Sequence, residues 1–271
     1  MLFNKDLLFV HTPKTGGLST TGYLLDNLPR PVYLSHPIWD ASLPARGVVQ
    51  IDGTRHETLA EARDIAARHG FALERFPLVL ATIRNPYDLE VSRWAYLRQG
   101  HIWERGPEQD LALASSFEEF AVRNEQRGGG WAIGSLAAYD RAAAAAGGDG
   151  DGNEDGGGNR SELQDFYMLD GRIPENLRML RFERLADDLA SALADVGVDV
   201  HPGGFPWINR STRQDYPSYY TDRAEKAVYR RYHWVFDRGF YPRLNPNPTP
   251  DPDRSLLAAG RVQAAEAGGR V

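Results

Sequence analysis

The 271-residue sequence contains no cysteine, which excludes disulfides and thiolate metal sites and fits a reducing compartment. It also lacks any apolar run approaching the roughly 20 residues that a membrane-spanning helix needs. Its opening, MLFNKDLLFV, is interrupted by Asp6 and too short for a secretory signal; the expected location is the cytoplasm. Positive charge is in deficit: 31 Lys and Arg stand against 37 Asp and Glu, a formal net charge of −6. A surface of that sign does not attract nucleic acid as a whole, so any polyanion has to find a local basic cleft. No pair of histidines with carboxylates has metal-ligand spacing, and no catalytic metal is expected. Walker A order is missing too: in that motif the lysine follows the second glycine and a Ser or Thr then holds magnesium.

What the chain does carry is HTPKTGGLST at 11–20, directly after the apolar run Leu7-Leu8-Phe9-Val10. A buried strand running into a lysine, two glycines and several hydroxyls, then a helix, has the makings of a phosphate-cradling loop. Gly16 and Gly17 can take backbone angles closed to other residues and leave no Cβ in the way, so successive N–H groups can converge on one anion. The helix starting near Leu18 adds unpaired amides and the positive end of its dipole. Lys14 supplies a full charge, and Thr15, Ser19 and Thr20 supply O–H donors.

The length suits one large α/β domain, since single cores stop growing near roughly 250 to 300 residues. We read residues 1–245 as that domain and 246–271 as a mobile tail. Phe3 to Val10 reads as a central parallel strand followed by a helix from Ser19 to Leu28. Tyr33 to Gln50 reads as a loop-bearing segment with short strands, and Glu57 to His69 as a helix ending at Gly70. Phe76 to Ile83 is a second continuous apolar strand, with Tyr87 to Arg98 as its helix and Pro86 near the first turn. Further helices are expected at Phe117 to Arg127, Arg184 to Val196 and Thr221 to Phe236, with a strand at Leu177 to Phe182. Between them, residues 141–160 are so rich in glycine and acid that they read as a disordered insertion. Strands alternating with helices imply a P-loop-like, three-layer α/β/α architecture around a central parallel sheet, with ligands at the carboxyl ends of the strands.

Both anion-binding motifs fall at such ends. In ATIRNPYDLEVSRW, Arg84 terminates the second strand and Ser92 lies eight residues on, about two helical turns along. Two separated anion sites on one sheet edge suggest a bis-phosphorylated nucleotide. Here the chain resembles the sulfotransferases that use 3′-phosphoadenosine 5′-phosphosulfate, particularly the carbohydrate branch typified by heparan sulfate 2-O-sulfotransferases and their bacterial relatives. The resemblance covers most of Leu7 to Pro242. PKTGGLS resembles the family's PKTGGTS loop for the 5′-phosphosulfate, with Leu18 in place of a threonine. RNPYDLEVSRW resembles RNPWDRLVS, whose arginine and serine hold the 3′-phosphate. Arg181-Phe182-Glu183-Arg184-Leu185 resembles RFENL, and Asn209-Arg210-Ser211 with Tyr219-Tyr220-Thr221 resembles N-x-S…YYT.

The resemblance implies sulfuryl transfer to a hydroxyl on a glycan, glycolipid or small natural product, in line and without a metal. Lys14 then stabilises charge on the departing phosphate, and Gly16, Gly17, Leu18, Ser19 and Thr20 join it in holding the donor. A base must take the acceptor's proton. His56, in TRHET just before a helix, resembles the HATA segment of the bacterial relatives, and an imidazole pKa near roughly 6.5 suits the task; His36 and Glu57 are the alternatives. Arg213 is a candidate for a second phosphate or sulfate contact. Trp39, Trp94, Trp103 and Trp131 could stack on adenine or a sugar, though aromatics of this kind usually serve the core. Glu183 reads as a structural acid that fixes a turn. Two further readings stand beside the sulfotransferase: a P-loop kinase or NTPase, and a non-catalytic nucleotide-binding protein.

Overall fold

A computed structural model describes residues 1–35, 42–99, 107–126, 163–200, 204–206, 208 and 213–244. The insertion at 141–160 and the tail at 246–271 lie outside the described residues. The described elements run β1 (Leu2–Phe3), β2 (Leu7–Val10), α1 (Gly17–Asn27), β3 (Val32–Leu34), β4 (Val48–Gln50), α2 (Leu59–Arg68), β5 (Leu78–Ile83), α3 (Pro86–Arg98), α4 (Pro107–Ala114), α5 (Phe117–Gln126), β6 (Leu177–Arg181), α6 (Leu185–Ala194) and α7 (Asp222–Asp237). This is an α/β fold.

The sheet is mixed rather than wholly parallel. Its order is β4-β3-β1-β2-β5-β6, with β2, β5 and β6 parallel, β3 and β4 parallel, and β1 antiparallel to both its neighbours. The expected single strand from Phe3 to Val10 is in fact a tight hairpin. The cause is Asn4: its side-chain oxygen accepts from the N–H groups of Asp6 (2.9 Å) and Leu7 (3.0 Å), while its own N–H donates to Leu7 O at 3.0 Å. An asparagine bonding the backbone two residues on makes a turn in its own right. Asn4 is buried, so that turn is part of the core.

The alternation of side chains along the strands puts core on both faces of the sheet. Leu8 and Val10 of β2, with Val79, Ala81 and Ile83 of β5, pack against residues of α2, α3, α5 and α7. Leu7, Phe9, Leu78 and Leu80 face the other way, against Tyr23, Leu24 and Leu25 of α1 and Leu185, Leu189 and Leu193 of α6. All six residues of β5 are buried, which is why it reads as an uninterrupted apolar run. Parallel pairing in register, Leu7 with Leu78 through Val10 with Ala81, brings the carboxyl ends of β2 and β5 side by side. From there the chain leaves β2 for one face and β5 for the other. Such a divergence opens a crevice at the strand ends where ligands bind.

Candidate functional site

The loop at 11–20 is stiffened from within. The Thr15 hydroxyl donates to Thr12 O at 2.7 Å and that of Thr20 to Gly16 O at 3.2 Å. Both threonines are fully buried, so their hydroxyls hold the loop's shape rather than supplying the O–H donors expected of them. Lys14 has φ 60° and Gly16 φ 82°, left-handed angles that turn the chain into α1. A Cβ on Gly16 would stand 2.8 Å from Leu185 Cδ2, and one on Gly17 only 1.9 Å from the His11 ring. Glycine is therefore required twice, for angle and for close approach. Gly16 is the N-cap of α1 and no side chain caps it, which leaves the first amides of the helix facing the cleft formed with Leu18 and Ser19. Ser19 is buried, and its Oγ accepts from Ile208 N at 2.9 Å.

The cleft encloses about 670 Å³ and gathers Lys14, Gly16, Gly17, Leu18, Ser19, His56, Arg84, Ser92 and Arg213. Arg84 extends from the end of β5 and is the hub. Its Nε donates to Asp88 Oδ2 at 2.7 Å, and its Nη1 donates both to Lys14 O at 2.8 Å and to Ser92 Oγ at 3.2 Å. The bond to Lys14 O ties the guanidinium to one of the loop's two left-handed residues, and the Phe182 ring backs it at 4.0 Å. Arg213 pairs with the other oxygen of Asp88. One carboxylate thus orients two arginines beside the loop. Asp88, Ser92 and Tyr96 line the cleft at four-residue spacing along α3, one face of one helix. Asn85 caps α3 by accepting from Tyr87 N at 3.0 Å. Glu183 accepts from Asn85 N at 3.0 Å and from the Tyr241 hydroxyl at 2.6 Å, so it fixes the turn after β5.

His56 stands just ahead of α2, whose start is set by a capping box between Thr58 and Glu61. Its Nδ1 lies 3.0 Å from the backbone oxygen of His11. A carbonyl only accepts, so Nδ1 carries the proton, and when the ring is neutral Nε2 is its basic atom. The His56 ring packs edge-on against that of His11, with centroids 4.7 Å apart. Glu57, the alternative base, does not line the cleft: its Oε2 sits 2.5 Å from the Met1 amine and 2.9 Å from Ser35 Oγ. His36, with Trp39, Trp103, Trp131 and Asn209 to Ser211, lies outside the described residues. Trp94 packs against Phe117 and Tyr219, not in the cleft.

Burial, reinforced by the charges of Arg84 and Arg213, pulls the Lys14 ammonium down from 10.5 to about 8. Because the folded value lies below the ordinary one, the strain of holding this charge is full below pH 8. It is relieved between about pH 8 and 10.5, where this group's effect on stability improves with rising pH. Affinity for an anion runs the other way. A phosphate monoester is already dianionic there, so we expect its dissociation constant to rise above pH 8 by at most about tenfold per unit. Titration calorimetry at pH 7, 8 and 9 checks this, and the Lys14→Met profile should be flat.

Sequence reading missed His11, Asp88 and Tyr96, all of which line the cleft. For Asp88 and Tyr96 a signal existed, the i, i+4, i+8 stripe through Ser92. No helix among the described residues is long and apolar enough to cross a membrane. No family model, curated protein or solved structure matches this chain.

Proposed function

We propose that this protein is a group transferase for a nucleotide carrying two separated phosphates. The observation that carries the proposal is the convergence in one cleft of an uncapped helix end with Lys14, a second cation–hydroxyl pair in Arg84 and Ser92, and a histidine whose Nδ1 proton is committed to backbone. An unphosphorylated or singly phosphorylated ligand would leave one of the two cationic positions unused.

Within that class we read the chain as a sulfotransferase, built on a P-loop-like three-layer scaffold and moving a sulfuryl group from 3′-phosphoadenosine 5′-phosphosulfate to a hydroxyl of a glycan, glycolipid or small natural product. The donor supplies an activated sulfuryl group whose leaving phosphate takes up negative charge. In this reading the α1 amides, the Gly16–Gly17 backbone and Lys14 bind the 5′ end and stabilise that charge. Arg84, Ser92 and Arg213 hold the 3′-phosphate. His56 Nε2 takes the acceptor's proton as its oxygen bonds to sulfur and the sulfur–phosphate oxygen bond breaks; Nδ1–H stays on His11 O, which fixes the ring. The order of lysine and glycines departs from that of a magnesium-holding NTPase loop.

His56→Ala separates catalysis from mere nucleotide binding. We expect turnover with labelled donor over an acceptor panel to fall by about 10²–10⁴-fold, while affinity for 3′,5′-adenosine bisphosphate stays within about twofold of wild type. Unchanged turnover would remove His56 as the base. Absence of turnover in the wild type with intact bisphosphate binding would leave the non-catalytic alternative.

A further inference from the structure

Lys14 lines the cleft without the carboxylate partner that Arg84 and Arg213 each have in Asp88. Among the described residues its ammonium makes no ion pair. Two of the carboxylates that line the cleft are committed elsewhere: Asp88 to Arg84 and Arg213, and Glu183 to Asn85 N and the Tyr241 hydroxyl. What the ammonium does meet is the face of the Tyr96 ring, with Nζ 3.7 Å from the centroid. Both residues line the cleft.

We propose that Tyr96 is a positioning residue for Lys14, its ring face holding the ammonium at the phosphate loop so that the charge is in place before an anion arrives. A lysine side chain has a flexible four-carbon stem and pays in conformational freedom when a ligand has to order it. The backbone end of this stem is already fixed, by the φ of 60° at Lys14 and by the bond from Arg84 Nη1 to Lys14 O. The ring fixes the other end without neutralising the charge, as a carboxylate would. A π face attracts a cation through its quadrupole yet leaves the ammonium's N–H donors for the ligand. Tyr96 reaches this place because it continues the stripe of Asp88 and Ser92 along α3, so the helix that carries the 3′-type contacts also sets the lysine of the 5′-type site.

The test uses a convenience of composition: the chain has only three lysines, Lys5, Lys14 and Lys226. In ¹³C-lysine-labelled protein, Lys5→Arg and Lys226→Arg assign the three sets of Hε signals. We expect the Lys14 Hε signals of wild type and Tyr96→Phe to be displaced upfield by the ring current, and those of Tyr96→Leu to fall near Lys5. Affinity for 3′,5′-adenosine bisphosphate should stay within about twofold in Tyr96→Phe and drop between about 2- and 30-fold in Tyr96→Leu. Tyr96→Met serves the same comparison should the leucine variant not fold. The idea is overturned if wild-type Lys14 resonates with Lys5, if Tyr96→Leu matches wild type in both readouts, or if the phenylalanine variant loses as much as the leucine one. The affinity arm rests on the proposed function, but the resonance arm does not. A wild type that ignores the bisphosphate yet shows the upfield Lys14 would sink the functional reading and leave the positioning intact.

Discussion

Replacing Lys14 by methionine should lower kcat for the proposed sulfuryl transfer by about 10²–10³-fold, the loss found when a single oriented donor is taken from a developing anion. Methionine keeps much of the length and apolar body of the stem, so the Tyr96 face stays covered and the loop keeps its packing. What disappears is a positive charge that burial makes costly to hold, and such a charge is most effective where water is scarce. Donor KM should rise far less than kcat falls, because in the proposed binding mode Arg84, Ser92, Arg213 and the α1 amides would still hold the nucleotide in the ground state. An equal rise in KM with kcat unchanged would instead assign Lys14 to uniform binding. Initial-rate kinetics at pH 7.5 over a range of donor concentrations distinguishes the two.

Glu90→Ala should destabilise the fold by about 3–5 kcal/mol, the cost of leaving buried charges without their partner. Glu90 is on α3 but on the face turned away from the cleft, and it is fully buried. Its Oε1 accepts from Asn124 of α5 at 3.0 Å and from Arg231 of α7 at 3.1 Å, and its Oε2 accepts from the Tyr232 hydroxyl at 2.8 Å. Arg93 stands 3.7 Å away and is held in turn by Glu108 of α4 at 2.5 Å. Burial alone would raise the Glu90 carboxyl; Arg231 and Arg93 more than reverse that and hold it below the usual carboxylate range. A depressed acid contributes stability that is complete above its unfolded pKa and is lost as pH falls through the lower folded value. Wild type should therefore lose stability below about pH 4.5 partly through this group, and Glu90→Ala should lack that component. Urea unfolding at pH 7 and pH 4 measures both. Because Glu90, Ser92 and Tyr96 share one helix, loosening this network should also blur the cleft.

Much of the site was legible because it is local in sequence. The loop at 11–20 announces itself by residue type, and the eight-residue interval from Arg84 to Ser92 becomes the observed 3.2 Å contact once α3 forms. The strand β5 and the helix α7, expected from Thr221 and found from Asp222 with Thr221 as its cap, followed from periodicity and capping. The hairpin at Asn4 was not legible as such: three polar residues inside an apolar run look like an interruption until the asparagine oxygen is seen to collect two amides. His11 was hidden for another reason. Its ring occupies the space that Gly17 leaves by having no Cβ, and its carbonyl sets the tautomer of a residue 45 positions later, contacts that only the fold creates. Thr15 and Thr20 were misjudged because a hydroxyl near a phosphate loop looks the same in sequence whether it faces a ligand or the backbone.

The proposed convergence of two phosphate positions in one cleft is tested most directly by thermal unfolding with 3′,5′-adenosine bisphosphate, AMP and ATP, each with chelator and with magnesium. A ligand at a hundredfold excess over its Kd stabilises the native state by about 2.7 kcal/mol, which for a chain of this size raises Tm by roughly 5–10 °C. The bisphosphate should give that rise equally with chelator and with magnesium, with AMP well behind it. No shift with the bisphosphate, or a shift confined to ATP with magnesium, would contradict the two-phosphate cleft.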